Sequence, residues 1–183
     1  MLESVGSADP SPGGRGTEGG YCRAREAPVD RADNADVDYT VRLVDAGPSP
    51  TAVVPAATSW SEYPSLWRVL LDEVYAAVAG GTIEQDGQNV MLYLDDTPRV
   101  EVGIQVTGSF PPVGRVVPSA LPVGPAAMTV HLGPYARLDD AHLAVRNWCA
   151  MHQHRPTGVR WEIYGDWTED PARLETEVWY QVG

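Results

Sequence analysis

Ten residues near the C-terminal end, GVRWEIYGDW (158–167), carry the reading of the fold. Trp161, Ile163 and Tyr164 favour extended backbone and Gly165-Asp166 supplies a stop, so the stretch reads as a β-strand. Side chains alternate between faces along a strand. Arg160, Glu162 and Tyr164 therefore share one face, and Trp161 and Ile163 the other. The expectation is that helices cover the Trp161 face, which leaves Glu162 and Tyr164 free to line a cleft. A mid-strand carboxylate among aromatics is either a solvated edge position, paired with Arg160, or a charge held inside a pocket.

Working outward, the same order of elements occurs twice. In the first half, VDYTVRLVDA (37–46) and TAVVPAAT (51–58) are strand-like. SEYPSLWRVLLDEVYAAVAGG (61–81) follows as a helix, with Trp67, Leu70, Val74 and Val78 on one stripe and Gly80-Gly81 as its stop. NVMLYLDD (89–96) and RVEVGIQV (99–106) are two more strands. In the second half, GRVVPSALP (114–122) and AAMTVHLGPY (126–135) lead into the helix LDDAHLAVRNWCAMH (138–152), striped by Leu138, Ala141, Val145 and Trp148. The strand at 158–167 and ETEVWYQV (175–182) close the chain. MLYLDD (91–96) aligns with EIYGDW (162–167), matching Tyr93 to Tyr164, Asp95 to Asp166 and Met91 to Glu162. The sequence thus predicts an α+β fold of duplicated strand-helix-strand-strand units: an antiparallel sheet, two helices on one face and a central cleft.

Composition narrows the function. The net charge of −12 disfavours direct nucleic-acid binding and anionic membranes, and favours cationic ligands. All 13 basic residues are Arg, which excludes Schiff-base lysine chemistry and a P-loop lysine. Residues 1–36 carry seven acidic and four basic residues among many Gly and Pro. They read as a disordered or loosely attached tail, too broken for a helix-turn-helix, ahead of one domain at 37–183. MLESVGSADPSPGG (1–14) has no basic start or apolar core, and no apolar run reaches membrane-spanning length, so the expected location is the cytoplasm. Cys22 and Cys149 form no motif and read as reduced thiols, Cys149 buried.

HLGPY (131–135), a helix, WEIY (161–164) and TEVWYQV (176–182), in that order, resemble the C-terminal signature of the GyrI-like small-molecule-binding family. That family includes the effector-binding domains of multidrug-responsive bacterial transcription activators. The resemblance covers about residues 37–183 and includes the LPVG turn at 121–124. It implies an aromatic cleft with a glutamate at its base, matched here by Glu162, and ligands that are hydrophobic, preferably cationic and aromatic. Tyr135 and Tyr164 match the pattern's tyrosines. Tyr93, Trp67, Trp148 and Trp179 complete the implied ligand-binding set. No cofactor and no metal are implied, and a regulatory protein is a candidate partner.

By residue pattern alone, Trp67 and Trp148 lie on the helices' apolar stripes and read as core. Tyr135, after the Gly133-Pro134 turn, reads as pocket wall or turn anchor. His131 alternates with apolar neighbours and reads as a satisfied structural histidine. His152 and His154 point apart and gather no further ligands, so they predict no metal site. Asp139-Asp140 complement the dipole at a helix start. Two functions remain open. One is a binding module in which rings supply area and Glu162 supplies charge. The other is implied by the resemblance, since some GyrI-like proteins resemble hydrolases that open cyclopropane rings of DNA-alkylating natural products: Glu162 would act as general base and Tyr135 or Tyr164 would steady a phenolate.

Overall fold

The computed structural model describes residues 38–183. The expected tail at 1–36, with Cys22, lies outside the described residues. Eight strands and two α-helices follow in the order β1 (Arg42–Ala46), β2 (Ser49–Ala57), α1 (Tyr63–Ala79), β3 (Gln85–Tyr93), β4 (Arg99–Val106), β5 (Val117–Leu121), β6 (Gly124–Leu132), α2 (Leu138–Met151), β7 (Pro156–Tyr164) and β8 (Glu175–Val182). All strands pair antiparallel in a single sheet ordered β1-β6-β8-β7-β3-β4-β2-β5. The α+β architecture with two helices is the one the duplicated pattern predicts.

The sheet order is itself the repeat. Reading inward from each edge, β1, β6, β8 and β7 correspond to β5, β2, β4 and β3. At the centre, β3 pairs with β7 so that Met91 lies opposite Glu162, Tyr93 opposite Arg160 and Asn89 opposite Tyr164. The pseudo-two-fold axis therefore passes between Met91 and Glu162, the pair that the internal alignment matches.

Each helix ends for a local reason. Pro64 sits in the first turn of α1, where its missing N–H costs nothing. Beyond α2, Gln153 takes a left-handed conformation (φ 60°), and His154 N–H returns to the Cys149 carbonyl at 2.9 Å. On α1 the buried stripe is Leu70, Leu71, Val74 and Ala77; on α2 it is Leu138, Ala141, Val145 and Cys149. Cys149, not Trp148, takes the innermost place at the end of the α2 stripe.

The helices cover the face that carries Glu162, which corrects the expectation that they cover the Trp161 face. Leu70 and Val74 pack with Met91, Tyr93, Val102 and Ile104, and Val145 packs with Val178 and Tyr180. The Trp161 face is buried by the sheet itself. Two residues, Pro122 and Val123, join β5 to β6, although these strands stand six places apart in the sheet. Six strand spacings would be about 29 Å in a flat sheet. Three Cα steps reach at most about 11 Å. The sheet must curl until its ends meet, and inside the curl Trp161 packs with Val90, Leu92, Leu121 and Ala126. Gly103 on β4 permits the tight approach, because a Cβ there would fall 1.9 Å from the Ala52 carbonyl oxygen. No helix among the described residues is long and apolar enough to cross a membrane.

Candidate functional site

The helices position the cleft by what they leave uncovered. α1 packs over β2 and β4, and α2 over β6 and β8, so the central pair β3–β7 forms a floor between them. Met91 and Tyr93 rise from β3, and Arg160, Glu162 and Tyr164 from β7, all on the helix side. A four-residue spacing places Tyr63, Trp67 and Leu71 of α1 along one wall. The same spacing on α2 places Leu138, His142 and Arg146 along the other.

Two lobes meet over Glu162, and Tyr63, Tyr93, Asp139 and His142 border both. The apolar lobe encloses about 380 Å³ and is walled by Trp67, Leu71, Met91, Tyr135 and Tyr164. The polar lobe encloses about 360 Å³ and brings in Trp60, Asp96, Arg146, Arg160 and Tyr180.

Glu162 is 4% exposed, so it is enclosed in the cleft floor and is not a solvated edge residue. Its Oε2 accepts hydrogen bonds from the Tyr164 hydroxyl at 2.6 Å and the Tyr93 hydroxyl at 3.0 Å. Its Oε1 lies 2.7 Å from His142 Nε2. Removing a carboxylate from water costs several kcal/mol. Three donors to a charged acceptor, at about 1.5–3 kcal/mol each, offset that cost. Arg160 is not its partner: Nη1 donates to Asp96 Oδ1 at 3.0 Å.

The hydrogen bonds continue outward from His142. Its Nδ1 lies 2.9 Å from the Tyr180 hydroxyl, which accepts from Arg146 Nη1 at 3.1 Å. A neutral imidazole with its proton on Nε2 satisfies every link. Arg146 then donates to Tyr180, Tyr180 to Nδ1, and Nε2–H to Glu162. A doubly protonated ring would leave the Tyr180 hydroxyl proton without this acceptor.

The tyrosines are held as protonated donors. Burial first, and the Glu162 charge second, push the Tyr93 and Tyr164 hydroxyls well above the ordinary phenol range. Burial also raises Tyr63, whose hydroxyl donates to the Met91 thioether at 3.0 Å. Burial raises Tyr180 as well, against a lowering by Arg146.

Of the ligand-binding set read from sequence, Glu162, Tyr164, Tyr93, Tyr135 and Trp67 converge on the cleft. Tyr135 is half-exposed at the rim and packs edge-on against Tyr164, with ring centroids 5.4 Å apart. Trp148 and Trp179 do not join them. Trp148 lies at the far end of α2, stacked with His152 (4.3 Å) and with His154 (5.3 Å). Trp179 points to the opposite face and stacks on Trp161 at 5.5 Å, because β8 turns Val178 and Tyr180 toward the helices. His131 is structural: Nδ1 meets the Tyr39 hydroxyl at 2.7 Å and Nε2 the Pro134 carbonyl at 3.2 Å.

The residues that sequence reasoning missed are His142, Tyr180, Arg146, Tyr63 and Trp60. Two signals were available. His142 and Arg146 recur at helical spacing from Leu138, beside the Ala141–Val145 stripe, and Tyr180 shares strand parity with Val178 and Val182.

An antiparallel α+β domain with an internal two-fold and a ring-lined, carboxylate-floored cleft defines the class of fold. Comparison with known proteins agrees with that fold. No family model matches the chain, and no curated protein does. Among solved structures, the EcmrR C-terminal domain is similar at TM-score 0.68 and 20% identity, over 79% of this chain and 98% of that one. SAV2435 bound to tetraphenylphosphonium aligns at TM-score 0.54 and 12% identity, over 79% of this chain and 94% of that one. A hydrolase encoded by lin2189 from Listeria innocua aligns at TM-score 0.51 and 12% identity, over 79% of this chain and 92% of that one.

Proposed function

We propose that this protein is a GyrI-like small-molecule-binding protein that takes up hydrophobic, preferably cationic, aromatic ligands over Glu162. The observation that carries the reading is a nearly buried carboxylate on the floor of an open cleft, surrounded by tyrosine and tryptophan rings. Ring faces attract cations at about 0.5–2 kcal/mol each. The rings supply area, and the carboxylate supplies charge and a bias against anions. Three donors already engage the Glu162 oxygens. With three of the carboxylate's roughly four acceptor sites taken, a cation without N–H groups suits the site better than a primary ammonium, only one of whose N–H groups could reach Glu162. That tetraphenylphosphonium, a cation of this kind, is bound by SAV2435 on a similar fold supports the reading.

Flat aromatic surfaces discriminate poorly among ligands of similar size, so specificity is broad and affinity modest, on the order of micromolar. Uptake of toxic cations, or reporting their presence to a regulatory protein partner, is the role we attach to such a site. The direct test is titration with tetraphenylphosphonium and with tetraphenylborate, which has the same shape and the opposite charge. Saturable binding of the phosphonium alone supports the proposal, and equal binding of both refutes it.

The chain from Arg146 through Tyr180 and His142 to Glu162 favours a second reading. It suits a carboxylate that takes a proton from water as the water oxygen attacks a strained cyclopropane carbon. The ring carbon–carbon bond breaks, and its electron pair moves to a conjugated carbonyl that becomes a phenolate near Tyr135. A gain of one water by such a ligand on incubation with the protein, absent with Glu162→Gln, distinguishes hydrolysis from binding.

A further inference from the structure

The polar lobe already contains a cation. Arg160 Cζ lies 5.0 Å from the Tyr93 ring centroid and 5.1 Å from the Trp60 ring centroid, the distances at which a cation is attracted to a ring face. The guanidinium is anchored at its other side by Asp96, and its side chain is only 13% exposed against 88% for Asp96. Arg160 stands two residues before Glu162 on the same face of β7, so it lies in the cleft and not on the outer surface. Tyr93 borders both lobes, and its hydroxyl is held by Glu162.

We propose that Arg160 is a specificity-determining residue that acts as a built-in cation, filling the Trp60–Tyr93 half of the cleft and restricting the site to ligands with one positive centre. This inference rests on the reading of the cleft as a cation site. A ligand's positive centre is seated among Trp67, Tyr135 and Tyr164, and the part reaching toward Trp60 must be neutral. A second positive centre there meets a guanidinium of like charge on the ring faces it would need. Asp139 on the lip and Asp96 do not reverse this, since Asp139 is solvated and Asp96 is paired to Arg160.

The test uses the full chain and two probes of equal chain length: hexyltrimethylammonium, with one quaternary centre, and hexamethonium, with two. Calorimetric titration of the native protein is expected to give hexamethonium no advantage over hexyltrimethylammonium. Arg160→Met removes the charge from the ring faces and frees them, while the lobe's other guanidinium, Arg146, stays exposed on the Tyr180 side, and hexamethonium is expected to gain about tenfold, the scale of one ring-lined cation contact. Hexyltrimethylammonium is expected to change little. Arg160→Lys keeps the charge and is expected to behave as the native protein does. Arg160→Gln, whose amide can still donate to Asp96, is expected to match Arg160→Met and covers the case in which the methionine variant does not fold. The proposal is overturned if hexamethonium binds the native protein about tenfold tighter than the monocation, or if neither charge-removing variant gains. A native protein that binds neither probe nor tetraphenylphosphonium removes the cation reading of the cleft, and this inference with it.

Discussion

The hydroxyl of Tyr180 is the joint of the chain that reaches Glu162, and Tyr180→Phe removes that one atom. Two contacts end: Arg146 Nη1 loses an acceptor at 3.1 Å and His142 Nδ1 loses a donor at 2.9 Å. Arg146 is exposed and finds water instead, so its share is small. His142 is 8% exposed, and its Nδ1 is left short of a partner. An unsatisfied buried polar atom costs about 1–3 kcal/mol. At about 2–4 °C per kcal/mol for a chain of this size, the melting temperature falls by roughly 2–12 °C. Tyr63→Phe is the control, because that hydroxyl donates to the Met91 thioether, a weak acceptor, and its neighbour Tyr93 stays held by Glu162, so the expected fall is smaller. Thermal denaturation followed by near-ultraviolet circular dichroism measures both. A double-mutant cycle of Tyr180→Phe with His142→Leu should return a clear coupling energy. Equal melting temperatures for the two Phe variants, or an additive cycle, would refute the hydrogen-bond chain as drawn.

Other consequences follow from the same geometry. Gly103→Ala drives a methyl group onto the Ala52 backbone, so the variant should lose several kcal/mol or fail to fold, read by denaturant unfolding. Tyr63, Tyr93 and Tyr164 all have hydroxyls raised above the ordinary value of 10.0, so the folded state holds protons that the unfolded chain releases. Their contribution is complete below pH 10 and is lost as the pH climbs above it; melting temperatures should fall on this account only above about pH 10, less steeply in Tyr93→Phe. Trp179→Ala and Trp148→Ala should leave the dissociation constant for tetraphenylphosphonium unchanged, Trp179→Ala with lower stability, whereas Trp67→Ala should weaken binding several-fold.

The fold was legible because its periodicities are clean. RVEVGIQV and ETEVWYQV coincide residue for residue with β4 and β8, and both helices emerge within a few residues of their patterns. Glu162 was legible only as one of two alternatives: strand alternation left it either solvated beside Arg160 or held in a pocket, and it was the resemblance carried by WEIY that favoured the pocket. The helix-bearing face was not. Alternation separates two apolar sides but does not say which one helices cover, and here the curl of the sheet buries the Trp161 side without them. Trp179 shows the limit of choosing residues by type: its parity opposes that of Tyr180, so the smaller ring reaches the cleft and the larger one the curl. Trp148 misses the buried stripe by one residue, where Cys149 takes the place. His142 was hidden because a histidine gains meaning only when its two nitrogens have partners, and these come from β7 and β8, distant in sequence.

The central claim is that the Glu162 carboxylate, not merely the aromatic walls, draws cations into the cleft. Glu162→Gln keeps the shape and removes the charge, so tetraphenylphosphonium titration of both proteins by tryptophan fluorescence tests it most directly. The predicted result is saturable binding to the native protein and a dissociation constant about tenfold or more higher in the variant, equivalent to roughly 1.4 kcal/mol or more. An unchanged dissociation constant in a variant that folds normally would contradict the claim and leave the rings alone as the source of binding.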